Sequence, residues 1–493
     1  MTLLIISPDY ASHLFPLATL GTAWRDAGER VVVATGPATA DIVSQFGFER
    51  ENLQLGRGSN PGVIRADEQP RGEDDALRGF FESTRRGMVE TLLFQAHARS
   101  NDLLWNPLEI AREVQRLVER VRPVDVIVDH LAFSARLGLK SGRIRHTDVV
   151  LGHPCTLTVG DEVYGYPTAW PPALHPDQAD LESLKRLCEE VRDAFTAQWN
   201  DALFQLSPKA TASVDAFAET GDVLLLNYPA ALHDENRARL FPPHAFLGSA
   251  VRQEAVDSEV QQWLAAEDTR PIVYVSFGSF LSVRGDVLAR VAGALRGLDV
   301  RVAIATGSTS PEELGPVPAS WFVRGFLPQV TLLRRAALAV SHGGNNTVTE
   351  AITSGVPLLL LPFSTDQFAG AAAVEAAGFG AALDPNSASV DELREAATGL
   401  LSLRGEARQR LDRLSSSMTV HTGPQQAFET LRGATSREDT RGPGTSLAQH
   451  APDQGFGRSR GRRSQRAYPP MGDPSIDPPT QVRPPLSTDP MLT

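Results

Sequence analysis

Cysteine is almost missing from this chain: among 493 residues there are two, Cys155 and Cys188. Two thiols can build neither a disulfide framework nor a four-thiolate metal site, so two reduced thiols are the simplest reading. No apolar run approaches the roughly 20 residues a membrane span requires. The apolar start, Met1 to Ser7, lacks a basic flank and meets Asp9 almost at once, which reads as a first strand and not a signal peptide. A soluble, cytoplasmic protein is expected. Basic charge is in deficit, with 47 Lys and Arg against 59 Asp and Glu, a net of −12. That balance argues against a nucleic-acid partner, although backbone dipoles can still hold a nucleotide in an acidic protein. Also missing is a G-x-G-x-x-G turn after the first strand, where Ser7-Pro8-Asp9 stands instead. A dinucleotide-dependent oxidoreductase is disfavoured on that ground.

What is present is a repeated alternation of short apolar runs with longer amphipathic stretches, the pattern of parallel sheets with helical crossovers. Leu3 to Ile6, Val31 to Ala34, Val124 to Val128 and Val223 to Leu226 read as strands of a first half. The pattern restarts with Ile272 to Phe277, Val302 to Ala305, Leu338 to Ser341 and Leu358 to Leu361. The expectation is a first Rossmann-like domain over 1–235, a linker over 236–265 and a second Rossmann-like domain over 266–423. A helix over 424–434 follows, then a disordered Pro/Arg-rich tail over 435–493. Residues 50–80, rich in Gly, Arg and acids, read as a long mobile loop.

The chemistry concentrates in one segment. Phe326-Leu327-Pro328-Gln329 is followed by Ser341-His342-Gly343-Gly344-Asn345-Asn346-Thr347, then Glu350, Gly355-Val356-Pro357 and Asp366-Gln367. A strand there runs into a glycine pair and a helix opens beside it. Glycines admit a ligand close to the backbone, and free N–H groups at a helix start attract phosphate. His342, Asn346 and Thr347 add donors at the same point.

This run resembles the donor-binding signature of family 1 glycosyltransferases, the nucleotide-sugar enzymes of GT-B fold. The match is in order and spacing across 326–367, with weaker resemblance over most of 1–433. It implies two facing Rossmann-like α/β domains with parallel sheets and a cleft between them. By resemblance, Phe326, where many relatives have Trp, would stack on a uracil or thymine ring, with Leu327 and Gln329 beside it. Glu350 would accept from the ribose hydroxyls. His342, Gly344, Asn345, Asn346 and Thr347, with Ser279, would hold the diphosphate, and Asp366 and Gln367 would bond the transferred sugar.

His13, in Ser12-His13-Leu14-Phe15-Pro16, resembles the general base of the family's G-H-x-x-P segment, with Ser12 in place of Gly. Asp129 resembles its orienting acid. His130 is a less favoured substitute, and His153 a candidate for the acceptor side. A neutral imidazole can take a hydroxyl proton at cellular pH, and a carboxylate orients it and stabilises the imidazolium. The chain contains no Asp-x-Asp pair, and the resemblance implies metal-independent, inverting chemistry with a nucleotide sugar as co-substrate and no cofactor.

The expected reaction moves a hexose, UDP-glucose first because Gln367 suits a glucose-like donor, to a hydroxyl of an apolar small molecule or natural product. The alternatives are a TDP-deoxysugar-dependent antibiotic-tailoring transferase and a non-catalytic nucleotide-sugar-binding protein. Phe80, Phe81, Phe94, Trp105, Phe133 and Trp170 are explained by core packing. Lys140, Arg143, Arg145 and His146 depart from the apolar connection usual in the family and leave the acceptor side open. Oligomeric state is not legible.

Overall fold

The computed structural model describes residues 1–62, 73–102, 104–255 and 257–439. The expected tail beyond 439 lies outside the described residues. Two sheets organise the chain. The first contains β1 (Thr2–Ile6), β2 (Arg30–Thr35), β3 (Glu49–Asn52), β4 (Asp125–Asp129), β5 (Thr147–Val150), β6 (Val223–Leu226) and β7 (His244–Phe246). The second contains β8 (Ile272–Ser276), β9 (Arg301–Ala305), β10 (Phe322–Arg324), β11 (Ala336–Ser341), β12 (Leu358–Leu360) and β13 (Gly380–Ala382).

The strand orders are β3-β2-β1-β4-β5-β6-β7 and β10-β9-β8-β11-β12-β13, with parallel neighbours. Each sheet is therefore a doubly wound Rossmann-like unit whose order reverses once, between β1 and β4 in the first and between β8 and β11 in the second. At such a reversal the crossover helices diverge to opposite faces and leave a crevice at the strand ends. The strands are continuous apolar runs because helices cover both faces. Leu3, Leu4, Ile5 and Ile6 are all fully buried, Leu3 and Ile5 in one core cluster and Leu4 and Ile6 in another.

Three expectations are corrected by the elements. Within 50–80, residues 50–52 pair as the edge strand β3, and Glu73–Ser83 is a helix; 63–72 lie outside the described residues. Composition hid both, since an edge strand tolerates charges on its open side. Inside the expected linker, β7 adds to the first sheet through β6, and a helix spans Ser258–Leu264. The last helix runs Gly423–Asp439, past the point where the tail was expected to begin.

That last helix packs on the first half of the chain. Ala427 and Leu431 are buried with Leu20 and Trp24, and Phe428 meets Trp24 edge-on at 5.1 Å. Arg432 closes the contact with Glu29 at 2.6 Å and Asp125 at 3.2 Å.

Candidate active site

The two crevices face a common cleft of about 700 Å³. Its walls come from the ends of β1 and β4 on one side and of β8 and β11 on the other.

On the first side, β1 ends at Ile6 and a short loop enters the helix Ala11–Asp26, whose first turn carries His13. Asp129 is the last residue of β4, the strand across the reversal. The topology therefore brings together residues 116 apart in sequence, and His13 Nδ1 lies 2.7 Å from Asp129 Oδ2. Asp129 is nearly buried and its Oδ1 accepts from the Leu131 N–H at 2.8 Å, so the carboxylate is fixed. A carboxylate accepts only, which makes Nδ1 the donor and leaves Nε2 as the basic nitrogen. Burial works against charging His13. Asp129, by charge and hydrogen bond, and Asp366 outweigh that, so the ring titrates above the ordinary histidine value.

On the second side, β11 turns through Gly343, at φ 84°, into the helix Asn345–Thr353, with Gly344 as N-cap. Gly343 must be glycine because that φ is costly for other residues. Gly344 is required for a different reason: a Cβ there would stand 2.4 Å from His342 Nε2. Across the reversal, a Cβ on Gly278 would stand 2.8 Å from His342 Cε1. The imidazole thus sits in a slot between two glycines, beside open helix N–H groups. Burial lowers its pKa to about 4. His342 is therefore a neutral hydrogen-bonding ring at the mouth of an anion-attracting helix end.

The remaining expected donor-side residues divide. Phe326 is 64% exposed at the cleft rim, an unusual position for a phenylalanine and a suitable stacking platform. Gln329 lines the cleft, and its Nε2 donates to Glu350 Oε2 at 2.6 Å while its Oε1 accepts from Tyr274 and Thr347 at 3.2 Å. Glu350 is buried under this wall and is also held by Arg252 at 2.9 Å. Burial raises its pKa against the opposing pull of Arg252 and Gln329. Leu327 departs from expectation, since its side chain is buried in the core of the second half and does not line the cleft. Ser279 stands on the short helix Gly278–Leu281; its side chain lies outside the described residues.

Four more line the cleft but already have polar atoms engaged within the protein. The Asn345 amide donates to the carbonyls of Leu151 at 2.6 Å and Asn227 at 2.9 Å, both in the first half. The Asn346 amide donates to the Ser12 carbonyl at 2.8 Å. Asp366 Oδ2 accepts from the His153 N–H at 2.6 Å, and Oδ1 accepts from Thr365 at 2.9 Å. Thr365 reaches that geometry at φ 52°, a strained value for a β-branched residue. Gln367 Oε1 accepts from the N–H groups of Phe363 and Ser364, and its Nε2 donates to Ser364 Oγ, so this amide staples its own turn. Much of the segment expected to touch donor therefore also clasps the two halves together. Spacing alone carried no sign of this, because the partners are backbone carbonyls and amides near residues 12, 151, 153 and 227.

The first-half candidates also need correction. His130 is buried and paired with Asp148 at 3.1 Å, so it does not replace His13. The His153 ring packs edge-on against Tyr228 at 4.8 Å, and burial drops its pKa to about 3. Its contribution to the site is its backbone N–H on Asp366. Phe80 and Phe94, read as core, line the cleft, while Phe133 is buried core. Lys140, Arg143, Arg145 and His146 do not line it. Residues that the sequence reading missed include Tyr10, whose ring lies 5.9 Å from that of His13, Phe280, Arg99 and Tyr164. Tyr10 and Phe280 adjoin expected site residues, His13 and Ser279, while Arg99 and Tyr164 reach the cleft only through the packing of distant segments.

This fold and cleft define a GT-B protein, two Rossmann-like units facing each other across a binding site. Residues 187–416 match the model for UDP-glucoronosyl and UDP-glucosyl transferase. The chain is 32% identical over 139 residues to the NDP-glycosyltransferase YjiC of Bacillus subtilis (strain 168), covering 28% of this chain and 36% of that protein. It is 28% identical over 224 residues to the oleandomycin glycosyltransferase of Streptomyces antibioticus, covering 45% of this chain and 51% of the relative. The chain thus spans between about a third and a half of these relatives' length. Among solved structures, the glycosyltransferase VinC in complex with DTDP superposes with a TM-score of 0.59 at 18% identity, covering 88% of this chain and 100% of that one. Among the described residues, no helix is long and apolar enough to cross a membrane, and no group of three His, Cys, Asp or Glu side chains is arranged to hold a metal ion.

Proposed function

We propose that the protein is an inverting glycosyltransferase that moves a hexose from a nucleoside-diphosphate sugar to a hydroxyl of an apolar small molecule or natural product. The observation that carries this reading is one cleft holding both the carboxylate-oriented His13 and the glycine-lined His342 slot at a helix N-terminus. His13 Nε2 takes the proton of the acceptor hydroxyl. The freed oxygen attacks the anomeric carbon, the bond from that carbon to the diphosphate oxygen breaks, and the nucleoside diphosphate leaves from the opposite face. Asp129 stabilises the imidazolium formed.

The departing charge is met by the N–H groups of the helix Asn345–Thr353 and by neutral His342. This donor set offers hydrogen bonds to the departing charge, and in this reading transfer proceeds without a divalent cation. Phe326 is the base platform, and Gln329 with Glu350 forms the wall behind it. In this reading the co-substrate is UDP-glucose.

A TDP-linked deoxysugar is the second reading, and one observation favours it. Gln367, the residue that suggested a glucose-like donor, has its amide bound within its own turn. A sugar with fewer hydroxyls asks less of that wall. The structural neighbour VinC, solved in complex with DTDP, is consistent with it. The deciding experiment is a mass-spectrometric assay of UDP- and TDP-sugars against phenols, macrolides and other polyketides. A sugar-mass adduct lost in His13→Ala supports the proposal; nucleotide binding with no adduct in any combination rejects it.

A further inference from the structure

On the first-half side of the cleft, the helix Met88–Asp102 presents Gln95 and Arg99, one turn apart. Arg99 Nη1 is buried and has no hydrogen-bond partner among the described residues. Its guanidinium lies 5.0 Å from the ring centre of Tyr164, and that ring stacks on Phe217 at 3.9 Å, nearly parallel. Gly165 adopts φ 88°, and a Cβ there would stand 2.7 Å from Arg99 Nη1. The group is thus held on an aromatic face and seated in a glycine notch.

A guanidinium N–H buried without a hydrogen-bond partner is costly, even on a half-buried arginine. Among the described residues, the two acids lining this cleft are engaged elsewhere: Asp129 faces His13, and Asp366 is held by His153 and Thr365. Two further lining groups, Gln95 Oε1 and His130 Nε2, are also buried without a partner among the described residues. Because the Asp148 carboxylate accepts from His130 Nδ1, His130 Nε2 is a free lone pair. Among the described residues, the wall therefore offers an arginine with no ion-pair partner and two open hydrogen-bond acceptors amid Leu77, Phe80, Phe94 and Tyr164.

We propose that this end of the cleft recognises acceptors bearing an anionic oxygen, a carboxylate or an ionised phenol, on a flat apolar body, with Arg99 as the specificity-determining residue. The proposal rests on the transferase reading and names the acceptor class which that reading leaves open. Arg99 pairs with the anion, while Gln95 and His130 accept from neighbouring hydroxyls.

The test is equilibrium binding to the full chain in saturating UDP. The probes are a dihydroxyanthraquinone carboxylic acid, its methyl ester, and the same nucleus without the carboxyl, titrated through its phenol ionisation. The acid should bind roughly tenfold or more tightly than the ester, as a charge-assisted bond requires. Arg99→Gln should remove that preference by weakening the acid alone, with UDP affinity and melting profile unchanged, and Arg99→Lys should keep part of it. An Arg99-dependent gain of the carboxyl-free nucleus on ionisation assigns the anion to a phenol as well. Acid and ester binding alike in the native chain, no saturable binding of the acid, or equal weakening of both by Arg99→Gln overturns the proposal. Binding is read without turnover. A chain that binds the acid through Arg99 yet transfers no sugar would refute the transferase reading and leave this one standing.

Discussion

The Asn346 amide, in the first turn of the helix after the glycine pair, donates to the carbonyl of Ser12 at 2.8 Å, one residue before His13. The element that meets the nucleotide in our proposal thus also holds the loop that carries the base. Asn346→Ala should lower the transfer rate by roughly fivefold, the usual worth of one neutral hydrogen bond, with UDP affinity nearly unchanged. Steady-state kinetics beside calorimetric UDP titration separate the two. A loss confined to UDP affinity would return Asn346 to a purely phosphate-binding role.

His13→Ala should slow transfer by roughly 10²–10⁴-fold, the range for a positioned general base, while nucleotide still binds. Single-turnover rates with retained UDP titration check this. Unchanged turnover would remove His13 from the mechanism.

The pH dependence follows from the same pair. A base works when deprotonated, so kcat/KM should rise with pH through the His13 pKa, which lies above the ordinary histidine value. Asp129→Asn removes the charge that favours imidazolium, so the rising limb should move to lower pH while the plateau falls. A limb that stays in place in Asp129→Asn would show that another group titrates.

His342, with its pKa lowered to about 4 by burial, should remain neutral from pH 5 to 9. Its ring resonances should stay constant over that range by NMR. Gly344→Ala tests the slot, since the backbone there, φ −61°, accepts alanine and only the 2.4 Å approach to the ring objects. Nucleotide affinity should fall roughly tenfold, the scale of an overpacked contact. Unaltered affinity in Gly344→Ala would show that the ring position is immaterial to nucleotide binding.

The last helix should contribute to stability. Leu431, buried against the first half, should cost about 2–5 kcal/mol on truncation to Ala, the range for a buried leucine. Urea denaturation measures it. Ending the chain after Asp439 should leave transfer rates intact, and a loss of rate would assign a role to residues beyond 439.

Both sheets could be read from the chain because buried parallel strands must be apolar on two faces, and runs such as Leu3 to Ile6 and Leu358 to Leu361 announce it. β3, with Glu49, Arg50 and Glu51, could not be read this way, since an edge strand is under no such demand. The glycine pair and His342 were legible for the same local reason: positive φ and a close ring approach restrict those positions within a few residues of one another.

What only the tertiary structure decided is where each polar atom finds its partner. The His13–Asp129 pair forms because β1 and β4 are neighbours in the sheet, an adjacency that strand order sets and spacing along the chain does not. Asn345, Asn346 and Asp366 turn toward carbonyls and amides of the first half, and Gln367 toward its own turn, because buried polar groups take whichever partner packing offers. Arg99 is the converse case. Nothing in its local sequence distinguishes it from a solvated helical arginine, and only folding buries its Nη1 with no hydrogen-bond partner among the described residues.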